Sequence, residues 1–173
     1  MRVARLAARI ARAHGLDPQP ARDAAMLHDL ARLYSGERLL RESAERGIPI
    51  GPFERANPIV LHAPLGAELA RERFGITDER VLSAIRKHTV ADPVMSPLDA
   101  VVYLADGLEP GRDYPERAAL AELAERDLGA AVRAVLASSI DYLRRRGLAV
   151  APQTLAAAAG FELTRAPQEN CPA

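Results

Sequence analysis

Residues 17–33 read DPQPARDAAMLHDLARL, and the fold class turns on how this stretch is read. Asp17 followed by Pro18 supplies an N-cap carboxylate and then a proline at the first helical position, where its missing N–H removes no bond. Ala21, Ala24, Ala25 and Leu27 recur at helical spacing, which predicts one helix running to Leu33 with the pair His28-Asp29 on it. Upstream, Val3, Leu6, Ala7, Ile10, Ala11 and His14 keep the same period until Gly15 stops it, with Arg2, Arg5, Arg9 and Arg12 on the remaining surface.

Downstream the helical signals continue. Residues 36–47 predict a short helix ended by Gly47, and residues 48–58, rich in proline, predict a loop with at most a turn of helix. Leu65 to Phe74 is helical and ended by Gly75, and Pro64 places His62 at that helix's start. Thr77 or Asp78 caps a helix whose apolar face is Val81, Leu82, Ile85 and His88, and Ser96-Pro97 opens another that reaches Asp106. Two further helices span 115–126 and 128–146, with Gly147 closing the second, and 152–159 forms a last turn or two. No stretch alternates like a strand. The expectation is an all-α bundle of about six or seven helices over residues 1–160, with a disordered C-terminal tail at 161–173.

Composition agrees. At 173 residues the chain fits one domain, and hydrophobic residues at 49% against aromatics at 4% mean a core of Ala, Leu, Val and Ile. Lys plus Arg and Asp plus Glu number 23 each, and that balance argues against an electrostatic nucleic-acid binder or a polybasic membrane segment. The lone Cys171 rules out an intrachain disulfide and a cysteine-based zinc site, and no apolar run is long enough for a membrane span, so the expected location is the cytoplasm.

Three of the four histidines, His28, His62 and His88, fall at helix starts, ends or apolar faces, and Asp29 and Asp106 interrupt apolar stretches. Taken singly, each histidine is as well read as a hydrogen-bonded core or surface residue. As a set they offer imidazole and carboxylate, the ligands suited to iron, manganese or zinc, and a buried carboxylate needs a cation or a charged partner. A salt bridge to Arg32 or Arg86 is the alternative for the two aspartates.

The segments AAMLHDLAR (24–32), IVLHAPLGAELARERFGI (59–76), VLSAIRKHT (81–89), SPLDAVVYLADGLEPGRDYP (96–115) and GLAVAPQTL (147–155) together resemble the YqeK branch of the HD-domain phosphohydrolases. The resemblance implies an all-helical HD domain with two divalent metal ions, iron or another such as manganese, that cleaves diadenosine tetraphosphate symmetrically to two ADP. It implies that His28, Asp29, His62, His88 and Asp106 are the metal ligands. Asp29 would bridge the ions, His62 and His88 would hold the second metal, and Asp29 with Asp106 would carry catalysis. Two cations about 3.5–4 Å apart can activate a water and clamp phosphate oxygens.

The family pattern also has a histidine on the first helix, one turn ahead of Val3, which a chain beginning at Met1 does not contain. His14, beside Gly15, does not replace it and reads as a partly exposed residue at a helix C-terminus. The first metal then lacks one imidazole; the helical spacing from residue 1 favours a start placed too late or a shortened chain. Around the metals, Arg112 is the candidate for bidentate phosphate contact, with Glu109 and Asp113 at the border and either Lys87 or Arg86 facing the polyphosphate. Tyr103 and Tyr34 either stack on adenine or pack, and Arg144 to Arg146 read as a solvated helix end. The expected partner is a dinucleoside polyphosphate, and a homodimer is compatible with the sequence. Two other readings stay open: an HD-type phosphohydrolase of another nucleotide or phosphoester, and a degenerate HD domain serving as a nucleotide-binding or interaction module.

Overall fold

Ten α-helices make up nearly all of the regular structure among residues 2–164, the range that the computed structural model describes. They are α1 (Arg2–Ala13), α2 (Pro18–Leu27), α3 (Gly36–Glu45), α4 (Pro52–Ala56), α5 (His62–Phe74), α6 (Glu79–Lys87), α7 (Pro97–Gly107), α8 (Arg117–Arg126), α9 (Leu128–Arg145) and α10 (Pro152–Gly160), with a 3-10 turn at Pro58–Leu61. The all-α expectation holds, but the helix number exceeds six or seven. Segments expected as loop or as a turn or two, such as 52–56 and 152–160, form helices that open on Pro52 and Pro152, whose fixed φ suits a first helical position.

Helix α7 is the centre of the bundle. Every side chain from Asp99 to Ala105 is buried, so this helix is apolar all round, and it packs against α1, α2, α6 and α9. Small residues allow the close approach: Ala7, Ala11, Ala21, Ala100 and Ala105 lie in one core cluster with Ile10, Leu104 and Leu136. A second cluster joins α5 and α6 through Ala67, Ala70, Leu82 and Ile85, and a third sits under α3 with Leu39, Leu61 and Leu65. Helix α5 stops where expected: Gly75 takes φ of 67°, a left-handed conformation that L side chains rarely adopt, and its N–H closes onto the Ala70 carbonyl. His14 is half-buried and sits 2.8 Å from the Ala124 carbonyl, tying the end of α1 to α8.

Two expectations are corrected. Helix α2 ends at Leu27, not Leu33, because residues 28–34 tighten into turns in which Leu30, Arg32 and Tyr34 donate to carbonyls three residues back. Order also runs past residue 160: Val94–Met95 and Glu162–Leu163 form a two-residue parallel pair, extended by the Thr164 N–H to the Met95 carbonyl at 2.9 Å. So short a pairing leaves no alternation to read in a sequence. The rest of the tail, 165–173 with Cys171, lies outside the described residues. None of the described helices is long and apolar enough to cross a membrane.

Asp99 fixes the start of α7. Its carboxylate accepts from the Ser96 N–H at 2.8 Å and from Lys87 Nζ at 3.1 Å while only 1% exposed. Asp99→Ala removes a cap and strands a lysine, and should cost roughly 2–4 kcal/mol. Chemical denaturation would check this; an unchanged midpoint would show that Lys87 and Ser96 find other partners.

Candidate metal centre and cavity

Each of three histidines stands at the C-terminal cap of a helical segment: His28 after α2, His62 after the 3-10 turn and His88 after α6. The last carbonyls of a helix have no partner within it, and here the imidazoles take them. Nδ1 of His28 bonds the Ala25 carbonyl at 2.8 Å, that of His62 the Ile59 carbonyl at 2.5 Å, and that of His88 the Ile85 carbonyl at 2.7 Å. A carbonyl only accepts, so all three Nδ1 atoms carry hydrogen and every Nε2 is turned toward the centre. Two α-helices thus aim their C-terminal, negative ends at one point, which favours a cation there.

Carboxylates complete the cluster. Asp29 follows His28 in the tight turn and sets Oδ2 3.3 Å from His28 Nε2 and Oδ1 3.3 Å from His62 Nε2. Its Oδ1 is also 3.8 Å from His88 Nε2, and Asp106, near the end of α7, brings Oδ1 within 3.7 Å of His28 Nε2. Two sets of donor atoms lie within 4.8 Å of one another: His28, His88 and Asp106, and Asp29, His62 and His88. All five residues named from the sequence therefore converge, and His88 belongs to both sets.

Chemistry supports a cation in this cluster. Nε2 of His62 and Nε2 of His88 face each other at 3.1 Å; with both Nδ1 atoms protonated these are two lone pairs, which repel unless a proton or metal lies between. A divalent ion bound by imidazole and carboxylate fits this donor set. The electrostatics agree. Burial disfavours the charged form of His28, yet hydrogen bonds to Asp106 and Asp29 outweigh it and raise its pKa to about 10. Burial alone would raise Asp29, but the hydrogen bond and charge of protonated His28, with the His62 and His88 rings beside it, hold it well below the ordinary carboxylate range. Burial lowers the pKa of His88 and so keeps it neutral. A metal ligated by His28 Nε2 must displace the proton that this raised pKa retains at neutral pH. Metal uptake is therefore expected to release a proton and to tighten as pH rises toward 10, by up to about tenfold per unit. Calorimetry in buffers of different ionisation enthalpy would measure it; an apparent enthalpy independent of buffer would contradict it.

Asp29, His62, His88 and Asp106 of the cluster line a cavity of about 710 Å³. Arg112 lines it, donating from Nη2 to Asp106 Oδ1 at 2.8 Å and from Nε to the Asp106 carbonyl at 3.2 Å. Tyr103 and Asp113 also line it, whereas Tyr34 lies elsewhere, under the Arg38 guanidinium. The other flanking candidates are directed away from it. Lys87 reaches Asp99 and the Val94 carbonyl, Arg86 reaches Glu79 and Glu68, and Glu109 pairs with Arg2 at 3.1 Å. Thr89 went unmarked in the sequence: its hydroxyl lies 3.1 Å from His62 Nε2 and 3.0 Å from His88 Nε2. Arg32, Ser138, Tyr142 and Arg145 also face the cavity. Only the packing of α9 against α7 brings the last three there, and no local motif marks them.

Four matches to known families and proteins agree on an HD domain. The HD-domain family pattern matches residues 1–111. The chain is similar to the "Bis(5'-nucleosyl)-tetraphosphatase, symmetrical" of Halalkalibacterium halodurans, 37% identical over 151 residues covering 85% of this chain and 78% of that protein. It is similar to the protein of the same description from Bacillus subtilis, 34% identical over 145 residues, 84% of this chain and 77% of that one. Among solved structures, the crystal structure of a "predicted HD superfamily hydrolase involved in NAD metabolism" from Clostridium acetobutylicum superposes with a TM-score of 0.88 at 32% identity, covering 92% of this chain and 84% of that one.

Proposed function

The chain belongs to the HD-domain family, in the branch of the symmetrical bis(5'-nucleosyl)-tetraphosphatases, and from that membership we propose that it hydrolyses diadenosine tetraphosphate to two ADP in the cavity beside His62 and His88. The observation that carries the reading is the convergence of three Nε2 atoms and two carboxylates beside a cavity large enough for a nucleotide. His28, Asp29, His62, His88 and Asp106 would hold two divalent ions, iron or manganese among the candidates. Bound there, such ions would supply an activated water and neutralise phosphate oxygens.

Asp29 is placed between the histidines of both donor sets, as a carboxylate shared by two ions has to be. Arg112 is half-exposed and, among the described residues, pairs with Asp106 alone, so its remaining N–H groups can meet an incoming phosphate. Thr89 is aimed at the same point as two of the imidazoles and can hydrogen-bond a water there. Arg112→Ala should lower kcat/KM by about ten- to a hundredfold, the worth of one charge-assisted contact. Steady-state kinetics would check it, and a change below twofold would take Arg112 out of phosphate binding.

Product chromatography tests the reading itself. Metal-loaded protein incubated with diadenosine tetraphosphate should give ADP as the only nucleotide product. ATP with AMP would mean asymmetric cleavage. Turnover of a nucleoside monophosphate or of NAD, with the tetraphosphate untouched, would assign the centre to another phosphoester or phosphoanhydride.

A further inference from the structure

The arginines of α1 do not take part in the metal centre. Arg2, Arg5, Arg9 and Arg12 follow one another by three, four and three residues, which keeps them on one helix face over about 15 Å. Together with Arg22 of α2 they line a groove of about 550 Å³, away from the catalytic cavity. Leu6, Ala8 and Pro110 form the rest of its lining. Five guanidinium groups in one hollow are notable in a chain with no net charge. Arg2 and Arg9 are partly neutralised by Glu109 at 3.1 Å and Glu125 at 2.9 Å. Among the described residues Arg5, Arg12 and Arg22 meet no carboxylate, and Arg22 is half-buried. The groove therefore carries uncompensated positive charge that nothing in the fold requires.

We propose that this groove is a second anion site, distinct from the metal centre, that takes a short polyphosphate chain. The planar, multiply donating guanidinium suits phosphate oxygens, and several in a row suit successive phosphates. A concave hollow of this volume fits a small ligand. Among the described residues no aromatic side chain lines it, so they offer no platform on which a base could stack, as single-stranded nucleic acid would require. Recognition is by charge alone, and the ligand is the polyphosphate chemistry shared by nucleoside triphosphates and condensed inorganic phosphate. The inference does not depend on the activity proposed above.

Calorimetric titration of the metal-loaded protein with inorganic tripolyphosphate, compared with the paired variants R5E/R12E and R5Q/R12Q, tests it. Arg5 and Arg12 are exposed, so the variants are expected to fold, and hydrolysis of diadenosine tetraphosphate should continue in both at the wild-type rate. The wild type should show one more binding event than R5E/R12E, R5Q/R12Q should weaken that event by more than about tenfold, and rising salt should weaken it further. A methylene analogue of ATP identifies the source: equal affinity for the analogue and tripolyphosphate assigns the site to the phosphate chain from either, and tighter binding of the analogue assigns it to nucleotides. Identical stoichiometry and affinity in wild type and variants would overturn the proposal, as would binding of an oligonucleotide in the groove without binding of tripolyphosphate. If hydrolysis were absent from all three proteins, the activity assignment would fail while the difference in binding would still be read.

Discussion

Asp29→Ala should reduce hydrolysis of diadenosine tetraphosphate on the order of a thousandfold or more, a loss of about 4 kcal/mol or greater in transition-state stabilisation. The reason is its position. One carboxylate oxygen faces His28 and the other faces His62 and His88, so its loss uncouples the two donor sets from each other. The expected loss exceeds that of Arg112→Ala, which removes one contact to substrate and leaves every metal donor in place. Asp29 has a half-exposed side chain in a surface turn, so the variant should remain folded, with a circular dichroism spectrum like that of the wild type. Metal analysis with single-turnover kinetics would check the ranking. An Asp29→Ala protein that keeps its metal and near-normal turnover would contradict it.

His88→Ala should be the most damaging of the histidine substitutions for metal content. His88 is the imidazole common to both donor sets, and without it each set falls to two protein ligands. His62→Ala, by contrast, leaves His28, His88 and Asp106 intact and should retain one of the two metals. Its one free nitrogen, Nε2, ligates one ion at a time, so metal affinity should fall by more than about a hundredfold at the position His88 serves. Burial adds a structural cost, since His88 is 3% exposed and its ring packs edge-on against those of His28 and His62. Elemental analysis of the two variants separates the cases. Equal metal content in His62→Ala and His88→Ala would show that His88 is not the donor the two sets have in common.

Much of this architecture was legible because the punctuation is strong. Asp17-Pro18, Ser96-Pro97 and the glycines at 15, 47, 75 and 147 are read correctly, and each of those glycines has positive φ. The five candidate ligands were also legible, from the pairing of histidines and aspartates with apolar helix faces and from the family resemblance of the segments that carry them. Their orientation was not. Three histidines with Nδ1 turned onto carbonyls depend on helices that end at Leu27, Leu61 and Lys87, and the first of those ends was misplaced by six residues. Thr89 was missed for a related reason: a threonine after a helix has many ordinary uses, and only the 68° approach of the His62 and His88 rings brings both nitrogens to its hydroxyl. Lys87 and Arg86 were drawn toward substrate by their nearness to His88 in sequence, but adjacent helical residues point about 100° apart, and both turn to carboxylates on other faces. Ser138, Tyr142 and Arg145 lie more than thirty residues beyond Asp106, where only long-range packing could reveal them.

Anomalous diffraction from crystals grown with manganese is the most direct test of the centre. Two peaks are expected at the edge of the cavity, one in coordination contact with Asp29 and His62, the other with His28 and Asp106, and His88 ligating one of them. Peaks elsewhere on the protein, or a cluster in which the imidazole Nε2 atoms contact only one another and Thr89 at saturating metal, would contradict it.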